Sequence, residues 1–502
     1  MDSHGNADSW TAYEIFFESG GCIVNQMPVS THISPSYMEG GFLRNSEECD
    51  IERLEVEGVI PHWLKGELIR NGPGQVRVDK PMKHWFDGLA MLHRFAILDG
   101  TVSYRSRFIK CRAYTAAQQE GRISYSDFAT DPCRTLFQQL QTIFNPDPKI
   151  TDSAKVNVGQ IGEKTFAWGE PLMQIQIDPN TLQALGVYDY GKYAGNRMTT
   201  AHPLSDEKGA YNLVVQYGPI NYYKIYEISN EARELASVPV RLPGYMHSFG
   251  MSERYFIIAE FPLVVQSIML LFRAKPFIEN FSWKPSMGSR FIIIDRTTGK
   301  RVSTIQVPAF FSFHHVFARE IDGMLEVDLC AYESADIVQE YYKENLTKCE
   351  RPLAKGSMRR YTLDVQNKTC AHVRELSDVC MELPVINRSF AHQSGSYRFV
   401  YACGVNKNMP NEFYNQIVKV DVSTGQYVQW YKERHYPGEP VFVPSPHAER
   451  EDDGVLLSVV LNTETHSSYL LVLDAITLEQ VAKAILPHSI LFGYHGTYLN
   501  KN

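Results

Sequence analysis

Seven times along the chain, apolar residues run into an aspartate or serine and then a short polar loop. The seven are LDGT at Asp99, IDPNTL at Asp178, EISN at Ser229, IDRTTG at Asp295, LDVQNKT at Asp364, VDVSTG at Asp421 and LDAITL at Asp474. Residues of this kind close hairpins between extended strands. Successive turns lie 51 to 79 residues apart, which leaves room for one four-stranded sheet and its loops per interval. A hairpin repeated at that spacing predicts an all-β fold, a seven-bladed β-propeller. The longest interval, Asp99 to Asp178, must hold an insertion. No linker-like composition interrupts the series. Residues 51–502 are therefore expected to form one propeller with cap insertions at about 105–165 and 260–290, behind an N-terminal extension, 1–50, partly packed on it.

Composition excludes several classes. The chain has 502 residues, 44% hydrophobic and 21% charged, with a net charge of -8, so it carries no basic excess to grip a nucleic-acid backbone. Nine cysteines, odd in number and without a CxxC pair, favour reduced thiols over a disulfide framework or zinc knuckle. The first basic residue is Arg44, and no apolar signal core precedes it, which points away from secretion and mitochondrial import and toward the cytoplasm. The apolar run PLVVQSIMLLF, 262–272, is too short to span a bilayer. It reads either as a buried strand or core helix, or as a patch that dips into one leaflet. In 131–144, Leu136, Phe137, Leu140 and Phe144 fall at helical spacing and face either core or membrane.

In a propeller the innermost strands converge on one axis, so equivalent positions of successive blades meet although far apart in sequence. Counting 18 to 24 residues forward from six of the turns reaches His202, His247, His314, Glu382, Glu439 and His495. Glu170, in WGEP, precedes its turn and is a weaker seventh member. Four neutral imidazoles suit Fe, Cu, Zn or Ni, whereas structural zinc usually takes closely spaced ligands that include cysteine. Such a shell cancels none of the ion's charge. Glutamates that accept the other ring N–H would orient the ligands and supply negative charge from behind.

At these residues the sequence resembles the carotenoid cleavage oxygenases, in the animal branch that holds the β-carotene oxygenases and the retinal pigment epithelium retinoid isomerase. The resemblance runs from about residue 51. It rests on LIRNGPG (68–74), HWFDGLAMLHRF (84–95), TAHP (200–203), GYMHSFG (244–250), FHH (313–315), MELPVIN (381–387), YPGEPVFVPSP (436–446), EDDGVLLSVV (451–460) and GYHGTY (493–498). It implies a propeller with helices and loops capping the active-site face and Fe2+ held by His202, His247, His314 and His495. It further implies Glu170, Glu382 and Glu439 behind the ligands, beneath an apolar tunnel. Family members use O2 to split a polyene double bond into two carbonyl products, drawing substrate from membranes through an apolar rim, where 131–144 and 262–272 would fall. Two departures bear on the substrate channel: Phe317 follows Val316 where animal relatives carry Asn, and Gly169 precedes Glu170 where many carry a larger polar residue. A lipid modification seen in relatives is not carried over to Cys133.

The expected activity is that of a monomeric iron(II) dioxygenase cleaving a carotenoid or apocarotenoid, with central 15,15'-type cleavage favoured over eccentric 9',10' cleavage. Retinoid isomerisation on the same iron is one rival, and a non-catalytic propeller scaffold is another. Of the adjacent pair, one is expected on the axis and the other facing away from it, because successive strand residues point to opposite faces. Spacing fits either histidine. The resemblance chooses, since the family places its ligand directly after the aromatic residue, here Phe313: it implies His314 on the axis, with His315 packed between blades or on the tunnel floor.

Overall fold

The computed structural model describes residues 38–133, 150–188, 190, 197–272 and 275–501. Seven antiparallel sheets of four to six strands follow one another along the chain. The first blade joins Gly66–Gln75, Leu89–Leu98 and Thr101–Phe108, with Cys49–Ile51 at its outer edge. Blade two is Asn157–Ile161 to Ala184–Val187, blade three Arg197–Thr199 to Ala232–Val240, and blade four Gly250–Met251 to Arg301–Val307. Phe311–Ile321 to Thr369–Glu375 form blade five, and Met381–Val385 to Tyr427–Tyr431 blade six. Blade seven runs from His435–Pro437 to Gln480–Ile485.

The ring is closed twice. Gly496–Asn500, from the far end of the chain, is the innermost strand of blade one, and Glu55–Gly58 is the outermost strand of blade seven. Leu68, Phe95, Leu457, Leu470, Ala482 and Leu486 fill the seam between those two blades.

All seven sequence turns are the hairpin between the third and fourth strands of a blade, counted from the axis. The aspartate recurs because its side chain closes the turn. Asp178, Asp295, Asp364, Asp421 and Asp474 each accept, through Oδ1, a backbone N–H two or three residues on, at 2.8 to 2.9 Å. Those bonds hold the Asp178, Asp295 and Asp364 carboxyls below their ordinary range.

Insertions build a cap. Helix Arg112–Glu120 ends on Gly121 in the left-handed conformation, and Leu263–Val264 pairs with Ser282–Trp283 around helix Ser267–Phe272. A third insertion, not foreseen from the sequence, leaves blade five between Tyr332 and Ser357 and carries helices Asp336–Glu340 and Lys343–Leu346. The two readings of 262–272 divide it. Leu263, Val264 and Val265 are buried, whereas Ile268 and Met269 on the helix are 53% and 42% exposed. The proposed stripe Leu136, Phe137, Leu140 and Phe144 lies outside the described residues. No helix among the described residues is long and apolar enough to cross a membrane.

Candidate metal centre

The axial residues sit where innermost strands are broken or bulged. His202 lies in the gap between Arg197–Thr199 and Leu204–Asp206, which both pair with Gly209–Gln216. Pro203 has no N–H to continue that ladder. Glu439 occupies the matching gap of blade seven, between His435–Pro437 and Val441–Pro444. His314 and Glu382 stand at β-bulges, and Leu383, next to Glu382, has a φ of 56°. His247 lies just ahead of the strand Gly250–Met251, beyond Ser248 and Phe249, and His495 immediately precedes Gly496–Asn500. A break in pairing frees a side chain to follow the axis instead of the sheet face. Glu170 arrives differently, from the end of Lys164–Trp168, the second strand of its blade. That is why it precedes its turn.

One ring nitrogen from each of His202, His247, His314 and His495 lies within 4.8 Å of the others. The Nε2 atoms of His202 and His247 are 3.1 Å apart, and those of His314 and His495 3.2 Å. Behind them, His247 Nδ1 is 2.8 Å from Glu170, His314 Nδ1 2.5 Å from Glu382, and His495 Nδ1 2.7 Å from Glu439. Among the described residues, no glutamate meets His202. All seven places named from the sequence thus meet at one centre.

Further groups hold the glutamates. The Tyr245 hydroxyl donates to Glu170 Oε1 at 2.5 Å, Leu383 N–H to Glu382 Oε2 at 2.5 Å, and Arg70 Nη1 to Glu439 Oε2 at 2.6 Å. Burial pushes the Glu439 carboxyl up, but His495 and Arg70 together outweigh it and leave it below the usual range. Burial, reinforced by neighbouring imidazoles, holds His202 well below its ordinary value. In His247 burial also wins, against the opposing pull of Glu170. Both rings are therefore neutral, the form that binds a metal. Sequence reasoning missed Arg70 and Tyr245, although both lie inside quoted motifs, LIRNGPG and GYMHSFG.

His315 turns away from the centre. Its backbone N–H donates to Ser248 Oγ at 3.0 Å and its Nδ1 lies 2.8 Å from the same oxygen, which ties blade five to the residues leading into blade four. The Ser248 hydroxyl in turn donates to the Phe313 carbonyl at 2.6 Å. Burial, with His314 beside it, pulls His315 down to about 3.

A cavity opens onto the imidazoles, with a volume of about 130 Å³ available to the centres of water-sized molecules. Trp85, Phe86, Phe128, Phe313, Tyr341 and Tyr494 line much of it. Phe86 stacks on His247 with ring centroids 5.9 Å apart. Tyr341 comes from the third insertion, and Leu270 from the cap helix with the exposed apolar residues.

Fold and site together define a β-propeller with an axial four-histidine centre at the end of an aromatic cavity. The family model described as retinal pigment epithelial membrane protein matches residues 42–500. The chain is 33% identical to the β,β-carotene 15,15'-dioxygenase of Rattus norvegicus, over 92% of each chain. It is 32% identical to the carotenoid isomerooxygenase of Galleria mellonella, over 93% of this chain and 97% of that one. A cobalt-substituted apocarotenoid oxygenase of Synechocystis superposes with a TM-score of 0.82 at 26% identity, covering 93% of this chain and 99% of the other. The chain belongs to this family, the carotenoid cleavage oxygenases.

Proposed function

We propose that the chain is a non-haem iron(II) dioxygenase that splits one carbon–carbon double bond of a carotenoid or apocarotenoid, placing one atom of O2 on each carbon to give two aldehyde-type carbonyls. The observation that carries this reading is the convergence of four imidazoles, three of them backed by glutamates, at the end of an aromatic cavity. The donor set fits a divalent ion. Counted as carboxylates, Glu170, Glu382 and Glu439 less the Arg70 guanidinium give two negative charges, which offset those of the ion through neutral ligands.

His202, His247, His314 and His495 would hold the iron, which supplies the redox chemistry that lets O2 react with a polyene. The three glutamates keep each partner's Nδ1 as the donor, so that Nε2 points at the centre. Phe86, Phe313 and Tyr341 exclude water and fix the plane of a conjugated chain beside the imidazoles. Cavity shape then selects the bond by how far the polyene slides, and the 15,15'-dioxygenase relative supports central cleavage.

The same helix turns Leu270 to the cavity and Ile268 and Met269 to the outside, which suits a cytoplasmic, peripherally membrane-associated enzyme drawing an apolar substrate from a leaflet. Masses of products made from β-carotene under ¹⁸O₂ test the reading. Two C20 aldehydes, each with one labelled oxygen before exchange, are expected. Products that differ from substrate only in double-bond geometry would refute it, as would the absence of any product when iron-loaded protein is given both β-carotene and its ring-hydroxylated derivative.

A further inference from the structure

One wall of the cavity is polar. It is made by Ser126, Asp127, Thr151, Ser153 and Lys155, from two segments bridged at Ser126 and Ile150. Lys155 is 5% exposed, and its Nζ donates to Asp127 Oδ1 at 2.5 Å. Asp127 is otherwise committed: Oδ1 also accepts the Phe128 N–H and Oδ2 the Gly88 N–H, each at 2.9 Å. Among the described residues Asp127 is the one hydrogen-bond partner of the Lys155 ammonium. An ammonium carries three donors. Two of them therefore have no acceptor among the described residues, in a cavity whose other lining is largely aromatic.

Leaving a buried cation's donors unmet is costly, so the wall calls for an oxygen. The hydrocarbon part of a polyene offers none, and only an oxygen-bearing end can. Asp127 already balances Lys155, and a second pair of opposite charges, Asp87 and Lys343, lies close enough to act on both residues or on Asp127. A neutral hydroxyl or carbonyl suits this balanced set, whereas a carboxylate would bring excess charge.

Resting on the reading that the chain cleaves a polyene, we propose that Lys155, held by Asp127, is a specificity-determining residue that donates to a hydroxyl or carbonyl oxygen on the substrate's end and selects oxygen-bearing polyenes over hydrocarbon ones. Two polyenes with one carbon skeleton test this: β-carotene and its derivative with a hydroxyl on each ring. The wild-type enzyme should favour the hydroxylated substrate in kcat/KM. Lys155→Met should lower that preference about 10- to 100-fold, the worth of a hydrogen bond to a charged group, chiefly through the hydroxylated substrate. The double variant Asp127→Asn/Lys155→Met leaves no unpaired Asp127 charge and should show the same loss if the single variant folds poorly. Equal use of both polyenes by the wild type, or a preference unchanged in the variants, overturns the proposal while leaving polyene cleavage intact. If neither polyene is cleaved, the functional reading fails, and Kd values from fluorescence quenching still decide: equal affinities of wild type and variants for the hydroxylated polyene overturn the role of Lys155.

Discussion

Glu382→Gln isolates what a carboxylate behind a ligand contributes. Glu382 is 1% exposed; its Oε2 accepts from both His314 and Leu383, while Oε1 has no partner among the described residues. A glutamine can put its carbonyl in the Oε2 place and keep both bonds. Its amide NH2 then falls where Oε1 was, and the net change is one lost charge and one buried donor group without a partner. The unmet donor costs about 1–3 kcal/mol, within the roughly 5–15 kcal/mol that holds a domain folded. The fold should survive. Metal affinity should fall about 10- to 100-fold, because the imidazole loses the negative charge that raises its basicity. Iron per chain after dialysis against graded chelator measures this, with calorimetric Tm as the control. An unchanged chelator midpoint in a folded variant would refute the role given to Glu382, and stoichiometric zinc in fully active protein would refute iron.

His314→Ala should lose both iron and activity, whereas His315→Ala should keep iron and lose at most part of the activity; equal iron loss in the two, or loss only in the second, reverses the assignment. Ile268→Ser/Met269→Ser should release protein from liposomes with iron content intact, since each side chain contributes at most about 1.5–3 kcal/mol on full burial, and unchanged co-sedimentation would remove this helix from the membrane contact. Burial holds Lys343 at about 8 instead of 10.5, so the unfolded chain binds a proton that the folded one releases within that window. Stability from this group should therefore rise between pH 8 and 10.5, by about 3 kcal/mol in all. Lys343→Met should raise Tm at pH 7 and flatten that rise in denaturant titrations; a lower Tm there would refute the sign.

The turns were legible because an aspartate side chain is used within three residues of itself, so its chemistry is written locally. The axial residues were legible because the path from that turn, along the outermost strand and across to the next blade's innermost one, has nearly constant length. Glu170 breaks the count by coming from a second strand. Alternation along a strand set His314 and His315 on opposite faces and the family resemblance put His314 on the axis; the bulges on either side of His315 mean that strict alternation is not what orients them. Tyr245 and Arg70 could be noticed in motifs but not oriented, since their partners lie 75 and 369 residues away. The third cap insertion left no hydrophobic period of its own to be read.

Because Gly496–Asn500 is the innermost strand of blade one, that blade waits for residues far downstream of its other strands. His495 stands directly before that strand. On a ribosome, three of the imidazoles emerge well before the fourth, and the ring stays open until Gly496–Asn500 has left the exit tunnel. Such long-range closure is slow compared with local hairpin formation. A chain cut before His495 therefore has an incomplete shell, however well its earlier blades fold.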